Sequence, residues 1–285
     1  MRVLLVGATG ALGLRIARRL RAAGHDVRAT WRAEAPEALA ELSALGCETA
    51  QLDLEDVGAA APLAEGCEAA VFTPILTVSG PAARALPTSA RLVLFSSNNV
   101  TVDPDAPVYA ALRAEEAALA ASGHDHILLR PTMIYGHVGD GNLARLIRLA
   151  QRSPVLPIAG SGRALQQPIH IDDLANLAAK LAGEAFAGGA TYSPAGPDTL
   201  TLGELYRAVR GAAGARALIL RAPPQLLAAA SSLIGWVPGL KAPLSAAQLA
   251  RIERDKTPPP GSAPPGWSAK VSLEQGLRDL AKTLG

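Results

Sequence analysis

The sequence predicts an α/β protein: a doubly wound parallel sheet followed by a smaller C-terminal lobe. Three observations carry that prediction. Short apolar runs alternate with amphipathic helical stretches through the first half of the chain, joined by short connections. Repeated strand–helix–strand units of this kind give a parallel sheet with helices on both faces. A loop with glycines at 7, 10 and 13 separates the first apolar run from the first helical stretch. After Pro131 the alternation stops, leaving isolated helices, turn-rich loops and one proline-rich connector.

Val3 to Val6 is a continuous apolar run closed by Gly7, the pattern of a strand buried on both faces. Leu12 to Ala23 is a helix. Leu12, Ile16 and Leu20 recur every four residues, Arg15, Arg18, Arg19 and Arg21 cover the other side, and Gly24 ends it. Asp26 to Trp31 is the second strand, Pro36 to Leu45 a helix stopped by Gly46, and Glu48 to Leu52 the third strand. Ala69 to Thr73, Arg91 to Phe95 and Ile127 to Leu129 are three more strands, with a helix over Val108 to Ala121. Between Pro74 and Ala90, three prolines and Gly80 leave room only for a short helix. Farther on, Asn142 to Arg152 is an amphipathic helix and Pro154 to Gly162 a turn-rich loop. Ile169 to Ile171 is a short strand, and Asp172 is the N-cap of a helix over Asp173 to Leu181. Leu202 to Gly211 and Leu273 to Leu284 are further helices. Lys256 to Trp267 holds five prolines in twelve residues and reads as an extended, mobile connector.

Composition excludes several classes of function. With 285 residues, 49% of them apolar, the chain can bury a sizeable core and is not disordered. Two cysteines, Cys47 and Cys67, are too few for a disulfide scaffold or a cysteine-rich metal site, and the histidines lack zinc spacing, so no metal is expected. A net charge of +2 with interspersed signs gives no electrostatic reason to expect nucleic acid as a partner. Leu226 to Val237 is apolar but interrupted by Ser231, Ser232 and Gly235, well short of the ~20 residues that span a bilayer. It reads as a buried or lobe-packing helix, with an interfacial membrane helix as the alternative. Met1-Arg2 leads into an apolar run too short for a signal-peptide core. A cytoplasmic protein without a membrane partner is the expectation.

The strongest motif is Gly7-Ala8-Thr9-Gly10-Ala11-Leu12-Gly13. One glycine turns the chain off the strand, one lets the backbone approach a pyrophosphate, and one lets the helix pack close to the sheet. The helix N-terminus offers unpaired N–H groups and partial positive charge to the phosphates. Dinucleotide binding is the reading that uses all three, and a purely structural turn is the alternative. Where the second strand ends, Thr30-Trp31-Arg32 offers no acid for the ribose hydroxyls. Arg32 suits a 2′-phosphate instead. NADP is therefore favoured over NAD, the alternative being a solvated arginine at a strand end.

The Gly-x-x-Gly-x-x-Gly spacing, with Thr9 before the second glycine, resembles the short-chain dehydrogenase/reductase superfamily. Further segments resemble its extended and atypical branches, the NAD-dependent epimerase/dehydratase-like proteins. They are Asp53-Leu54, Leu94 to Ser97, Tyr109 with Glu116, Leu129 to Gly136, and Gln167 to Ala175. The resemblance covers about residues 1 to 210, with a looser echo at Gly266 to Leu284. It implies a Rossmann domain over 1–136 plus about 166–195, and a smaller substrate lobe over about 137–165 plus 196–285. It also implies that Gly7, Ala8, Thr9, Gly10, Ala11, Leu12 and Gly13 hold the cofactor, that Asp53 meets the adenine amino group beside Leu54, and that Pro131 lies along the nicotinamide. For Asp53 the alternative is a turn or N-cap acid.

In that family a tyrosine does the proton work, a lysine four residues later holds the ribose and lowers the tyrosine's pKa, and a serine polarises the substrate oxygen. A free tyrosine has a pKa of about 10, so it needs a cationic neighbour near neutrality. Tyr109 matches the tyrosine and Ser97 the serine, with Ser96 as the register alternative. Each also has a plainer reading, as a packing residue or as the close of a strand. Position 113 departs from the pattern: it is Arg113, and only five of the 27 basic residues are lysine, none of them near. Arg113 keeps the face of Tyr109 and supplies charge and donors, but not a proton to a relay. Two readings follow. One is an NAD(P)-dependent oxidoreductase or epimerase-like enzyme acting on a small carbonyl, alcohol or sugar-like substrate. The other is a non-catalytic cofactor-binding regulator or assembly scaffold. Gln167 and His170 are candidate substrate-lining residues, a structural role being the alternative for His170. The helix over Val108 to Ala121 is a candidate homodimer interface, as in many relatives.

Overall fold

The computed structural model describes residues 1–183, 189–223, 251 and 253–285. Leu226 to Val237, read above as a packing helix, lies outside the described residues. The chain forms two compact units. The first comprises Met1–Thr132, Ile169–Ala195 and Pro258–Lys270, and the second Met133–Pro168, Gly196–Thr257 and Val271–Gly285.

The first unit is built on seven parallel strands: β1 (Arg2–Val6), β2 (Asp26–Trp31), β3 (Glu48–Gln51), β4 (Ala69–Ile75), β5 (Arg91–Phe95), β6 (His126–Leu129) and β11 (Ala190–Tyr192). Their order across the sheet is β3-β2-β1-β4-β5-β6-β11, and every pairing is parallel. Val3, Leu4 and Leu5 are wholly buried, as a central strand covered on both faces requires. Helices α1 (Ala11–Ala22) and α8 (Ile171–Gly183) pack together, with α2 (Pro36–Ala44) beside α1. A second set, α3 (Ala60–Ala64), α4 (Leu76–Arg84) and α6 (Ala110–Ala120), packs mutually through α4. A short α5 (Asn99–Val102) and a single 3-10 turn (Pro107–Tyr109) precede α6, and β10 (Ile169–His170) leads into α8. Strand order reverses on either side of β1 and β4, the position where ligands meet the carboxyl ends of such sheets.

The second unit holds β7 (Ile134–Tyr135), α7 (Leu143–Arg152), β8 (Val155–Ala159), β9 (Leu165–Gln166), β12 (Leu200–Thr201), α9 (Leu202–Ala212), β13 (Leu218–Ala222) and α10 (Leu273–Leu284). Its core is apolar: Leu143 and Ile147 of α7, Leu205 and Val209 of α9, and Leu277 and Leu280 of α10 close around Tyr135. Thr201 and Glu204 form a reciprocal capping box on α9, and the buried Asp140 carboxylate accepts the N–H groups of Asn142, Leu143 and Ala144 to cap α7.

One expectation is met and three are corrected. The short helix expected between Pro74 and Ala90 is the nine-residue α4, with Pro81 inside it. Small residues make this possible: Ser79, Gly80, Ala82 and Ala83 are buried, and Gly80 leaves room for the Glu115 carboxylate of α6, which pairs with Arg84. Pro154 to Gly162 is not all loop, because Val155–Ala159 pairs in parallel with β13 and buries Leu156 and Ile158. Asp172 is not an N-cap; α8 starts at Ile171, two residues before the expected Asp173, and Asp172 pairs with Arg15 of α1 at 3.1 Å. The proline-rich connector is tied down and divided between the units: Ser262 O accepts the Ser193 N–H at 2.7 Å in the first, and Lys256 N–H donates to Leu165 O at 2.7 Å in the second. Residues 258–270 thus pack with the first unit, where the sequence reading placed them in the smaller lobe.

Phe72 of β4 is wholly buried. Phe72→Ala is expected to cost about 3–5 kcal/mol, read as a lowered urea midpoint at unchanged slope.

Candidate active site

The first part of the site is the turn from β1 into α1. Gly7 has φ +78°, a left-handed conformation that favours glycine, and a Cβ there would collide with Thr73 Oγ1 and lie 3.2 Å from Pro74 Cδ. Thr73 Oγ1 donates to the Val6 carbonyl at 2.9 Å and so fixes the end of β1 to the end of β4. A Cβ on Gly13 would overlap the Gly7 carbonyl oxygen and lie 2.8 Å from Ala8 Cα, so the first turn of α1 lies against the loop itself. Gly10 is exposed and is the N-cap of α1, where no side chain caps the helix and no acid sits in the first turn. The helix therefore presents uncapped N–H groups and its positive end. Ala8 has a different part from its neighbours: it is wholly buried and its N–H donates to Thr30 O at 2.9 Å, so it locks the loop to β2.

Beside this turn is a cavity of about 590 Å³ over the carboxyl ends of β1 to β4. Gly7, Arg32, Asp53 and Leu54 line it, bringing together four of the residues singled out in the sequence. The Arg32 side chain is exposed and has no ion-pair partner among the described residues. Asp53 Oδ1 accepts the Glu55 N–H at 3.1 Å, so one carboxylate oxygen holds a turn and the other is available. Sequence reasoning missed the apolar part of the wall: Trp31, Val57, Pro74, Val78 and Pro81. Val57 and Val78 are 42% and 49% exposed, an arrangement that suits a flat aromatic ring. The signal is present in Trp31, which closes β2, but α4 has to be known before Val78 can be placed.

The second part lies at the ends of β5 and β6. Ser96 N–H donates to Leu129 O at 2.7 Å and Asn98 N–H to Pro131 O at 3.1 Å, so both neighbours of Ser97 are bonded to the β6 end. Ser97 is partly exposed and its Oγ accepts the Asn99 N–H at 3.3 Å. Ser96, the register alternative, is buried and donates to Glu116 Oε1 at 2.6 Å. Tyr109 is half-buried at the close of the 3-10 turn rather than inside the helix. Arg113, one turn on, donates from Nη1 to Ala106 O at 3.3 Å, the same carbonyl that takes the Tyr109 N–H at 3.0 Å. In the first unit, His170 Nδ1 accepts the Asp172 N–H at 3.3 Å. In the second, Gln167 Nε2 donates to Gly196 O at 2.7 Å. Burial pushes both cysteine thiols, Cys47 and Cys67, above their ordinary range, so neither is poised as a nucleophile. No helix among the described residues is long and apolar enough to cross a membrane.

The profile of the NAD(P)H-binding family matches residues 7–152. A curated relative, ceramide reductase of Caulobacter vibrioides (strain NA1000 / CB15N), is 33% identical over 157 residues, 54% of this chain and 48% of that protein. The chain thus matches about half the length of that relative. Triphenylmethane reductase from Citrobacter sp. superposes with a TM-score of 0.78 at 16% identity, covering 99% of this chain and 100% of the other. The human epimerase family protein SDR39U1 (isoform 2), solved with NADPH, gives a TM-score of 0.68 at 19% identity and 99% coverage of both chains. Complexes with NAD are also found among similar structures.

Because the added methyl group would meet backbone rather than a flexible side chain, Gly13→Ala is expected to destabilise the protein by about 1–3 kcal/mol or more and to abolish cofactor binding. Thermal unfolding and a NADPH titration check the two effects separately.

Proposed function

The chain belongs to the NAD(P)H-binding family and has the fold of the extended short-chain dehydrogenase/reductases, and from that premise we propose that it is an NADP-dependent oxidoreductase or epimerase-like enzyme. The observation that carries this reading is the uncapped glycine turn at the head of α1, which opens beside the cavity where Arg32 stands with no ion-pair partner among the described residues. A 2′-phosphate there would take the planar guanidinium as its counter-ion. Asp53 would meet the adenine amino group, with Leu54 and the apolar wall against the ring. When bound, the nicotinamide supplies or accepts a hydride. Tyr109 Oη gives or takes the proton at the substrate oxygen, Ser97 Oγ donates a hydrogen bond to that oxygen, and Arg113 offers positive charge to the ribose. Pro131 would lie along the nicotinamide. The substrate is a small carbonyl, alcohol or sugar-like molecule. The relative named ceramide reductase favours an apolar carbonyl within that class. A small-molecule partner and a cytoplasmic setting go with this reading.

One contact favours a second reading. Arg113 already donates to the Ala106 carbonyl, a bond that holds the turn carrying Tyr109 rather than a ligand. A cofactor-binding regulator or scaffold without turnover would need no more from it than that.

Titration with NADPH and NADH tests the cofactor assignment: NADPH should bind more tightly, and Arg32→Ala should weaken it by about 10–100-fold while leaving NADH nearly unaffected. Saturation by neither coenzyme would remove the reading. Tyr109→Phe should lower turnover of a carbonyl substrate by about 10²–10⁴-fold with coenzyme affinity retained. In the enzyme reading Arg113→Lys lowers activity, because the guanidinium contact to Ala106 is lost. A large gain would instead favour the second reading.

A further inference from the structure

A carboxylate stands where the inner face of α6 calls for an apolar side chain. Leu112, Glu116 and Leu119 share one stripe of the helix, at i, i+4 and i+7, and the two leucines are 6% and 0% exposed. The Glu116 side chain is only 10% exposed. Its carboxylate is fully engaged: Oε1 accepts from Ser96 Oγ at 2.6 Å and from Arg130 Nε at 2.9 Å, and Oε2 accepts from Arg130 Nη2 at 2.5 Å. Arg130 Nη1 reaches Thr101 Oγ1 of α5 at 3.5 Å. A buried ion pair of this kind gains little stability over an apolar pair of the same volume, because desolvation offsets most of the attraction. What it supplies is fixed geometry.

The groups it fixes are those of the reaction centre. Ser96 immediately precedes Ser97. Arg130 immediately precedes Pro131. Glu116 is on α6, the helix that Tyr109 precedes directly, and Tyr109 packs against the same core as Leu112 and Leu119 on either side of Glu116. We propose that Glu116 is a positioning residue: by clasping Ser96 and Arg130 it sets the end of β5, the end of β6 and α6 in one register, and with them Ser97, Pro131 and Tyr109. The inference rests on the assignment of those three residues made above. It adds a group that touches no substrate and acts through its neighbours.

The test uses the full-length protein and NADPH as the probe, with two readouts. Affinity reports chiefly on the adenosine and phosphate end; the emission spectrum of bound NADPH reports on the surroundings of the nicotinamide. Two changes perturb the clasp without leaving a lone buried charge: Ser96→Ala, and the double change Glu116→Gln with Arg130→Met. Both should keep the NADPH affinity close to that of the wild type and return the emission of the bound coenzyme towards that of free NADPH. Asp125→Asn is the control. It removes the charge from the Arg91–Asp125 ion pair, at 3.3 Å, which joins the other ends of β5 and β6, and it should leave the emission unchanged. Wild-type emission in both clasp variants, or an equal shift in the control, overturns the proposal. Failure of the wild type to bind NADPH would overturn the cofactor assignment itself, and this proposal with it.

Discussion

The distance between two pieces of backbone governs the first unit. The opening turn of α1 lies so close to the loop leaving β1 that residue 13 has no room for a Cβ, and residue 7 must turn with a positive φ. That contact places the helix axis against the sheet and leaves its positive end facing the carboxyl edge of β1 and β4. Thr73 holds the other side of the same crevice by donating to the carbonyls of Val6, the last residue of β1, and of Gly7. The cavity over β1 to β4 and its arginine follow from this geometry. A helix displaced by one methyl group would turn its N–H groups elsewhere.

Legibility in the sequence followed the strength of local signals. Strands β1, β4 and β5 and the final helix are readable because continuous apolar runs and helical periodicity need no tertiary information, whereas β2 and β3 are placed by the glycines that end the helices before them. α4 is legible only as a short helix without bounds, because Gly80 and Pro81 are poor helix formers in isolation; the small, buried face against α6 accounts for them. β8 was read as a loop because its partner, β13, lies some sixty residues away, and a parallel pairing of that span leaves no local trace. Asp172 reads as a cap because a capping acid and a first-turn acid are the same residue type a position or two apart.

The candidate site was legible in residue types and less so in their tasks. Gly7, Arg32 and Asp53 do line one cavity, yet Ala8 serves β2 through its N–H, and part of the apolar wall, Val78 and Pro81, comes from α4. Among the serines, periodicity could not choose between positions 96 and 97. The hydrogen bond from Ser96 to Glu116 separates them. The arginine at position 113 illustrates the same limit. Its residue type announces charge, but the acceptor it reaches, the Ala106 carbonyl, depends on a 3-10 turn that no pattern foretold.

Each unit is assembled from three separate stretches of chain, interleaved along the sequence. During synthesis on the ribosome neither body can therefore be finished before the other is well advanced. A premature stop or frameshift ahead of residue 258 removes part of both, so truncation produces two incomplete cores in place of one intact fragment. For the same reason neither body can be cut out as a contiguous gene segment, and because the six pieces alternate even around a closed circle, dissection would require explicit splicing of the three pieces.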